Sequence, residues 1–414
     1  MHISIDRAAR WIAVAVTCLC FAGCNTDRVL KVEFPGQIPT DQINDPTLAP
    51  VLVRSVIGDF ECAYSNYMSG SSVHSDEYET ANSNVPLANW GERTITADED
   101  DYSATTCDAQ FSFGMNLTLQ TARFQAEEVT KKLNAWTDQQ VPDRALLLAQ
   151  VKIYGAYAYL LMGESFCQVA FDGGPAQPPS AALALAETRF SEGLTLAQQV
   201  NDADLVNLAR VGTARAKMDL KKWSEADQFA NQVTPGYSKD VGRGVESVRR
   251  WNKLWYLAQQ VGAYTVAPAY RTMNDPRVLV VDAGRGAFNS AIRLWITTKY
   301  TSLESPMRLA SSIEANLIRA EALAQQNQVP AAMALVNARR AQVGLAAASA
   351  TTQQEAIDTI IAERRKELSF EGGHRLNDLL RYNITWKTGT NPFTNRTYGS
   401  TTCWPFPTRE KNGV

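Results

Sequence analysis

Glu363, Glu367 and Glu371 recur every four residues, with Arg364, Arg365 and Lys366 set among them. On a helix that spacing stacks the carboxylates along one face, one turn from their cations. Two carboxylates can act as general acid and base on a glycosidic bond only when held about 5–5.5 or 6.5–9.5 Å apart. Sequence spacing does not measure that separation. Close ion pairs, each worth about 0.2–0.5 kcal/mol, explain the pattern more simply. Asp98-Glu99-Asp100-Asp101 is the densest acidic run. It lacks the alternating ligands and central glycine of a calcium loop and reads as a solvated loop. His374 adjoins Gly372-Gly373 without a Ser or Cys motif to nominate a nucleophile, so it reads as polar packing. HExxH and phosphate-binding glycine motifs are absent. No catalytic residue, metal site or cofactor is expected.

The cysteines carry a second chemistry. The chain opens MHISIDRAARWIAVAVTCLCFAGC, with Arg7 and Arg10 before an uncharged run of 13 residues from Trp11 to Gly23. A transmembrane helix needs about 20 apolar residues, so this run suits an export signal instead. Phe21-Ala22-Gly23-Cys24 is similar to a bacterial lipobox, which makes residues 1–23 a lipoprotein signal and Cys24 the lipidated residue. Asn25 in place of Asp fits forwarding to the outer membrane of a Gram-negative cell. Cys18 and Cys20 leave with the signal; Cys62, Cys107, Cys167 and Cys403 remain. Four cysteines in an oxidising compartment allow three pairings. Cys62–Cys107 is favoured because both lie in the early irregular region, leaving Cys167–Cys403 to staple the C-terminal region to the middle. Their spacings contain no close ligand pair for zinc. Lys+Arg 40 against Asp+Glu 43 gives a net charge of −3, which supplies no dense basic surface for nucleic acid.

The elements that must position these residues are mostly helical. Residues 24–50 read as a lipidated tether, 51–61 as a short helix, and 62–110 as a loop rich in Ser, Asn, Tyr and acids. Helical periodicity then covers Met115–Thr137, Arg144–Met162, Ser180–Val200, Asp204–Leu220 and Trp223–Val233. A repeat aligns Ala216, Trp223 and Ala226 with Ala322, Val329 and Ala332. Small residues where helices cross closely resemble tetratricopeptide hairpins. Residues 234–308 interrupt the array and hold a short strand at Val278–Val281. A helix over 353–370 breaks at Gly372-Gly373 before a second, His374–Arg381, and Pro405 and Pro407 exclude helix beyond. The expected fold is mainly α: interrupted tetratricopeptide-like hairpins with a loop-rich region at 62–110, 234–308 and 382–414, all within one body, 51–414.

Several motifs fall in order: Asp45-Pro46, the helix Glu314 to Glu321 (EANLIRAE), Val336-Asn337-Ala338-Arg339-Arg340, Ile361 to Leu368 (IAERRKEL), Phe370 to Arg375 (FEGGHR), Asp378-Leu379, and Trp404-Pro405-Phe406-Pro407. With the lipobox they resemble the SusD/RagB family of outer-membrane lipoproteins, most densely over 311–412. The resemblance implies a helical scaffold with an irregular ligand-facing half and no catalysis. It implies a partner, a TonB-dependent SusC-like outer-membrane transporter, to which captured oligosaccharides or, in some branches, peptides are delivered. It also makes Arg364, Glu367, Glu371 and Arg375 a structural signature of buried pairing rather than chemistry. A structural or assembly lipoprotein built from the same hairpins is the other reading.

Sugar rings present C–H faces to aromatic side chains and hydroxyls to polar ones. Residues 64–102 supply Tyr64, Tyr67, Tyr78, Trp90 and Tyr102 interleaved with Asn66, His74, Asp76, Asn82, Asn84 and Asn89. Tyr67, Tyr78 and Trp90 are therefore the candidate ligand contacts. Trp386, Tyr398 and Trp404 form a second group, in which proline-flanked Trp404 reads as a packing anchor.

Overall fold

Apolar residues spaced at threes and fours become helices throughout the computed structural model, which describes residues 42–411. The proposed signal, Cys24 and most of the tether lie outside the described residues. In chain order the helices of eight or more residues are α1 (Ala49–His74), α2 (Val85–Glu92), α3 (Met115–Ala135), α4 (Arg144–Ser165), α5 (Pro179–Gln199), α6 (Ala203–Asp219), α7 (Trp223–Asn231), α8 (Ser312–Gln325), α9 (Val329–Gln342), α10 (Gln353–Glu367) and α11 (His374–Arg381). A single turn, Thr408–Lys411, does form after Pro407, where no helix was expected. Three antiparallel strand pairs lie between or beside them: β1 (Tyr78–Thr80) with β3 (Tyr264–Val266), β2 (Ser238–Val241) with β6 (Met307–Ser311), and β4 (Val280–Gly286) with β5 (Arg293–Thr297). A π-helix, Trp255–Gln260, precedes β3.

α1 corrects the boundary expected at residue 61. Its second half is rich in Ser and Gly, residues that read as loop, yet it stays helical to His74 and is buried from Cys62 onward. The hydroxyls satisfy themselves on the helix: Ser69 Oγ donates to Ser65 O at 2.6 Å and Ser71 Oγ to Met68 O at 3.1 Å. Packing on α3, α4 and α2 then outweighs their weak helix propensity.

α4 is apolar enough in length and composition to cross a membrane, but 78% of its most apolar window is buried inside the protein. It packs on α1, α3, α5, α6 and α11, and a helix enclosed on all sides has no polar face to keep. Gly155 brings α3 close: a Cβ there would stand 2.7 Å from Ala126 Cβ.

From α3 onward each helix packs on the next, and the turns between them repeat. Ala216, Ala226, Ala322 and Ala332 are all fully buried. Lys222 N donates to Lys217 O at 2.8 Å, and Gln328 N to Leu323 O at 2.9 Å, around the left-handed residues Lys221 and Asn327. A third copy, unseen in the sequence, joins α5 to α6: Asp202 N donates to Ala197 O at 3.0 Å around left-handed Asn201. All three are Schellman closures, in which the left-handed residue ends one helix and lets the next fold back.

The irregular segments are knitted together by pairings between parts of the chain far apart in sequence. Tyr78 pairs with Val266, joining the region after α1 to the region after α7. The C-terminal segment reaches α4 through Phe166 and Trp404, where Cys167 N donates to Trp404 O at 2.9 Å. Both expected disulfides are present, Cys62–Cys107 and Cys167–Cys403. The expected strand at Val278–Val281 instead begins at Val280 and continues to Gly286.

Candidate functional site

Tyr67, Tyr78 and Trp90, expected to meet a ligand, are each 0% exposed. They are a correction: a ring with no open face cannot stack on a sugar. Trp90 meets Phe113 edge-on at 4.9 Å and Trp404 at 5.8 Å, and its Nε1 donates to Asp101 Oδ2 at 3.0 Å. Tyr67 donates to Glu164 at 3.2 Å, and Tyr78 packs on Phe370 at 5.4 Å. Of the interleaved polar residues Asn66, His74 and Asn82 are buried, Asp76 and Asn89 are half-buried, and Asn84 is exposed. Asn82 Nδ2 donates to Ala263 O at 2.9 Å, and His74, pushed down to about 4 by burial and then by Arg93, lies between the carbonyls of Trp90 and Thr402. Trp404 is fully buried, as a packing anchor should be, and half-buried Trp386 lies under the Arg93 guanidinium at 5.1 Å.

The signature residues are consumed by pairing. Arg364, 1% exposed, donates to both oxygens of Asp378 at 3.0 and 3.1 Å. Arg375 grips Asp76 with bonds of 2.6 and 2.7 Å, Glu367 takes Arg339 at 2.7 Å, and Glu371 takes Lys299 at 3.0 Å. Beneath them Arg215 holds the Glu164 carboxylate with two bonds and reaches Gly372 O at 2.8 Å. Gly372 and Gly373 both have positive φ, and a Cβ on Gly373 would strike the Tyr67 ring. Burial, with Arg215 and Arg364 alongside, holds His374 well below its usual range, so it is neutral packing. Within the acidic run, Glu99 accepts from Asn89 and Thr96, and Asp98 and Asp100 are exposed. Among the described residues no group of three or more His, Cys, Asp or Glu is placed to hold a metal ion.

The aromatic surface lies elsewhere. Phe111 is 50% exposed at the crest of the loop between Cys107 and α3. Its ring lies 5.8 Å from Tyr256 on the π-helix, and Tyr256 lies 4.8 Å from half-buried Trp251. Exposed Gln110 bonds the Tyr256 hydroxyl, and Trp255 is also part-exposed. At the far end of the π-helix Phe288, 60% exposed, is tied by its N–H to Gly262 O at 2.8 Å. Tyr256 itself is buried, at 6% exposed, and backs the shelf. The rings open to solvent are Phe111, Phe288 and, in part, Trp251 and Trp255, with the Gln110 amide at their edge, on a π-helix of the kind that recurs at functional sites. Sequence reasoning passed over it, although WNKLWY (251–256) is a dense aromatic run inside the region expected to be irregular.

Comparisons with known proteins agree with this architecture. A sequence model of the SusD family matches residues 296–412. A SusD-like carbohydrate-binding protein from Bacteroides vulgatus superposes with a TM-score of 0.63 at 18% identity, covering 84% of this chain and 86% of that one. A laminarin-binding SusD-like protein gives 0.62 at 17%, covering 89% and 97%. A SusD homolog from Bacteroides thetaiotaomicron gives 0.68 at 13%, covering 91% and 98%. No curated protein sequence matches. At these identities the structures speak for the fold alone: the chain has the fold of the SusD-like structures, and its residues 296–412 match the SusD family model.

Proposed function

We propose that this chain is a non-catalytic cell-surface binding protein that captures oligosaccharides on the Phe111–Tyr256–Trp251 shelf and passes them to a TonB-dependent outer-membrane transporter. The observation that carries the reading is the half-exposed Phe111 ring backed by buried Tyr256, with half-buried Trp251 beyond it. C–H faces of a sugar gain contact area on such rings without a deep pocket, and Gln110 offers an amide to its hydroxyls. The SusD-like fold supports the same reading, since similar structures are described as carbohydrate- and laminarin-binding. Lipid on Cys24 would hold the body at the outer membrane, and mass spectrometry of the exported chain would find the acyl groups there. The decisive experiment is calorimetry of the soluble body against a panel of neutral and acidic glycans, with a peptide library beside it. Binding of at least one glycan, weakened at least about tenfold by Phe111→Ala, is the expected result. Peptide binding without glycan binding would overturn it.

A further inference from the structure

Lys253 joins the two halves of the shelf from the buried side. It stands between Trp251 and the π-helix, its side chain is buried, with the residue 2% exposed, and its ammonium points away from its own segment into the loop that carries Phe111. Nζ donates to Ala109 O and to Ser112 O, both at 2.9 Å. Those two carbonyls bracket Gln110 and Phe111. With both turned inward onto one cation, the two residues between them arch outward, which is how Gln110 and Phe111 come to be exposed. The root of the lysine is fixed as firmly. Lys253 N donates to Ser65 Oγ on α1 at 3.2 Å, and neighbouring Asn252 donates to Leu303 O at 2.8 Å and Ser305 O at 2.9 Å.

A buried ammonium without a paired carboxylate is expensive to keep. Among the described residues the acids nearest in effect are Asp101 and Asp108, and neither prevents burial from pushing the amine down to about 7. Packing alone would be served as well by a methionine. Two convergent hydrogen bonds to a ligand-presenting loop would not. The disulfide does a different job: it anchors Cys107 to α1, two residues before the first of these carbonyls.

We propose that Lys253 is the positioning residue of the shelf, a buried two-carbonyl clamp that sets Gln110 and Phe111 against Tyr256 for ligand. The role at ligand rests on the capture reading above; the clamp rests on geometry alone. The test is limited chymotrypsin digestion of the soluble chain, following cleavage after Phe111 by mass spectrometry on reduced samples. Lys253→Met keeps the apolar stem and removes both donors. Cleavage after Phe111 is expected to rise at least about tenfold, because proteolysis follows the population of the opened loop, with cleavage within α4 unchanged. Lys253→Gln retains an amide donor and is expected to fall between Met and wild type. Equal cleavage of wild type and Lys253→Met overturns the proposal, as does a Gln variant cut as fast as the Met variant. Where Lys253→Met is cut throughout, the Cys62→Ala/Cys107→Ala chain decides. With Lys253 intact, Phe111 is expected to stay resistant to within about threefold; a tenfold loss would assign the positioning to the disulfide instead. Cleavage needs no ligand. A chain that binds no glycan yet digests as described refutes capture and leaves the clamp standing.

Discussion

Trp90→Ala separates the interior reading of the first aromatic segment from the surface reading that composition suggested. The indole is fully buried among Phe113, Trp404 and Tyr102, with its N–H spent on Asp101. Truncating a buried Trp to Ala costs about 3–5 kcal/mol through lost transfer energy and the cavity left behind. The stranded Asp101 carboxylate is part-exposed and can turn to water, so it adds little; about 4 kcal/mol is expected. Urea unfolding followed by circular dichroism would read this as a lower midpoint with an unchanged slope. Glycan affinity, measured where the variant is still folded, should change by no more than about threefold, well under 1 kcal/mol. Phe111→Ala should do the reverse: stability within about 0.5 kcal/mol of wild type, as for an exposed site, and capture lost. A Trp90→Ala chain with the wild-type midpoint and no ligand binding would refute the assignment of both rings.

The lowered Lys253 gives a pH signature. Its folded value of about 7 lies below the ordinary 10.5, so between them the unfolded chain holds the extra proton and stability rises with pH. The stability of wild type relative to Lys253→Met should therefore grow by about 2–3 kcal/mol from pH 6 to pH 9, and parallel profiles would exclude a buried amine. Glu164→Gln leaves buried Arg215 without its two-bond partner and should cost about 3–5 kcal/mol in chemical denaturation. Replacing Cys167 and Cys403 by Ser opens a link spanning 236 residues and should cost about 2–5 kcal/mol, read as a lower thermal midpoint under non-reducing conditions.

Helices α3 to α11 were legible because their apolar spacing and breaks are local signals; His374–Arg381 is helical over the residues expected. The repeat was legible through its alanines, and its third copy was not, because a Schellman turn needs only a left-handed residue that Asn or Lys supplies without a fixed motif. The second half of α1 failed for a related reason. Ser65, Ser69 and Ser71 look like loop until the neighbouring helices that bury them are in place. Aromatics among Asn, His and acids were ambiguous in principle, since the same composition serves a wet surface or a core whose polar groups find partners. Burial decides between them, and burial depends on contacts far along the chain: Trp90 and Tyr67 meet Trp404, more than 300 residues away. Phe111 and Tyr256 were missed for the same reason, being neighbours only across 145 residues of sequence.

The strongly shifted carboxyls bear on the hydrolase alternative. A general acid for glycoside cleavage needs a carboxyl with a raised pKa facing a sugar and a second carboxylate across from it. Burial pushes Glu77 and Glu314 up to about 7, the value such an acid would have. Both are 2% exposed, and neither lines any of the clefts described here. Glu314 instead faces Arg215 at 3.6 Å inside the network that seats Gly372. The cleft of about 460 Å³ beside α8 and α9 contains no carboxylate. The one of about 270 Å³ contains Glu367 and Glu371, each already taken up by a cation. Asp219, raised by burial, lines a cleft of about 280 Å³ with Arg381 and Tyr382, but no second carboxylate faces it there. The cleft of about 160 Å³ does hold two carboxylates, Asp59 and Asp108, but Asp59, raised by burial, is taken up by Arg249 at 2.6 Å. These acids hold helices together, which is what a rigid binding scaffold asks of them.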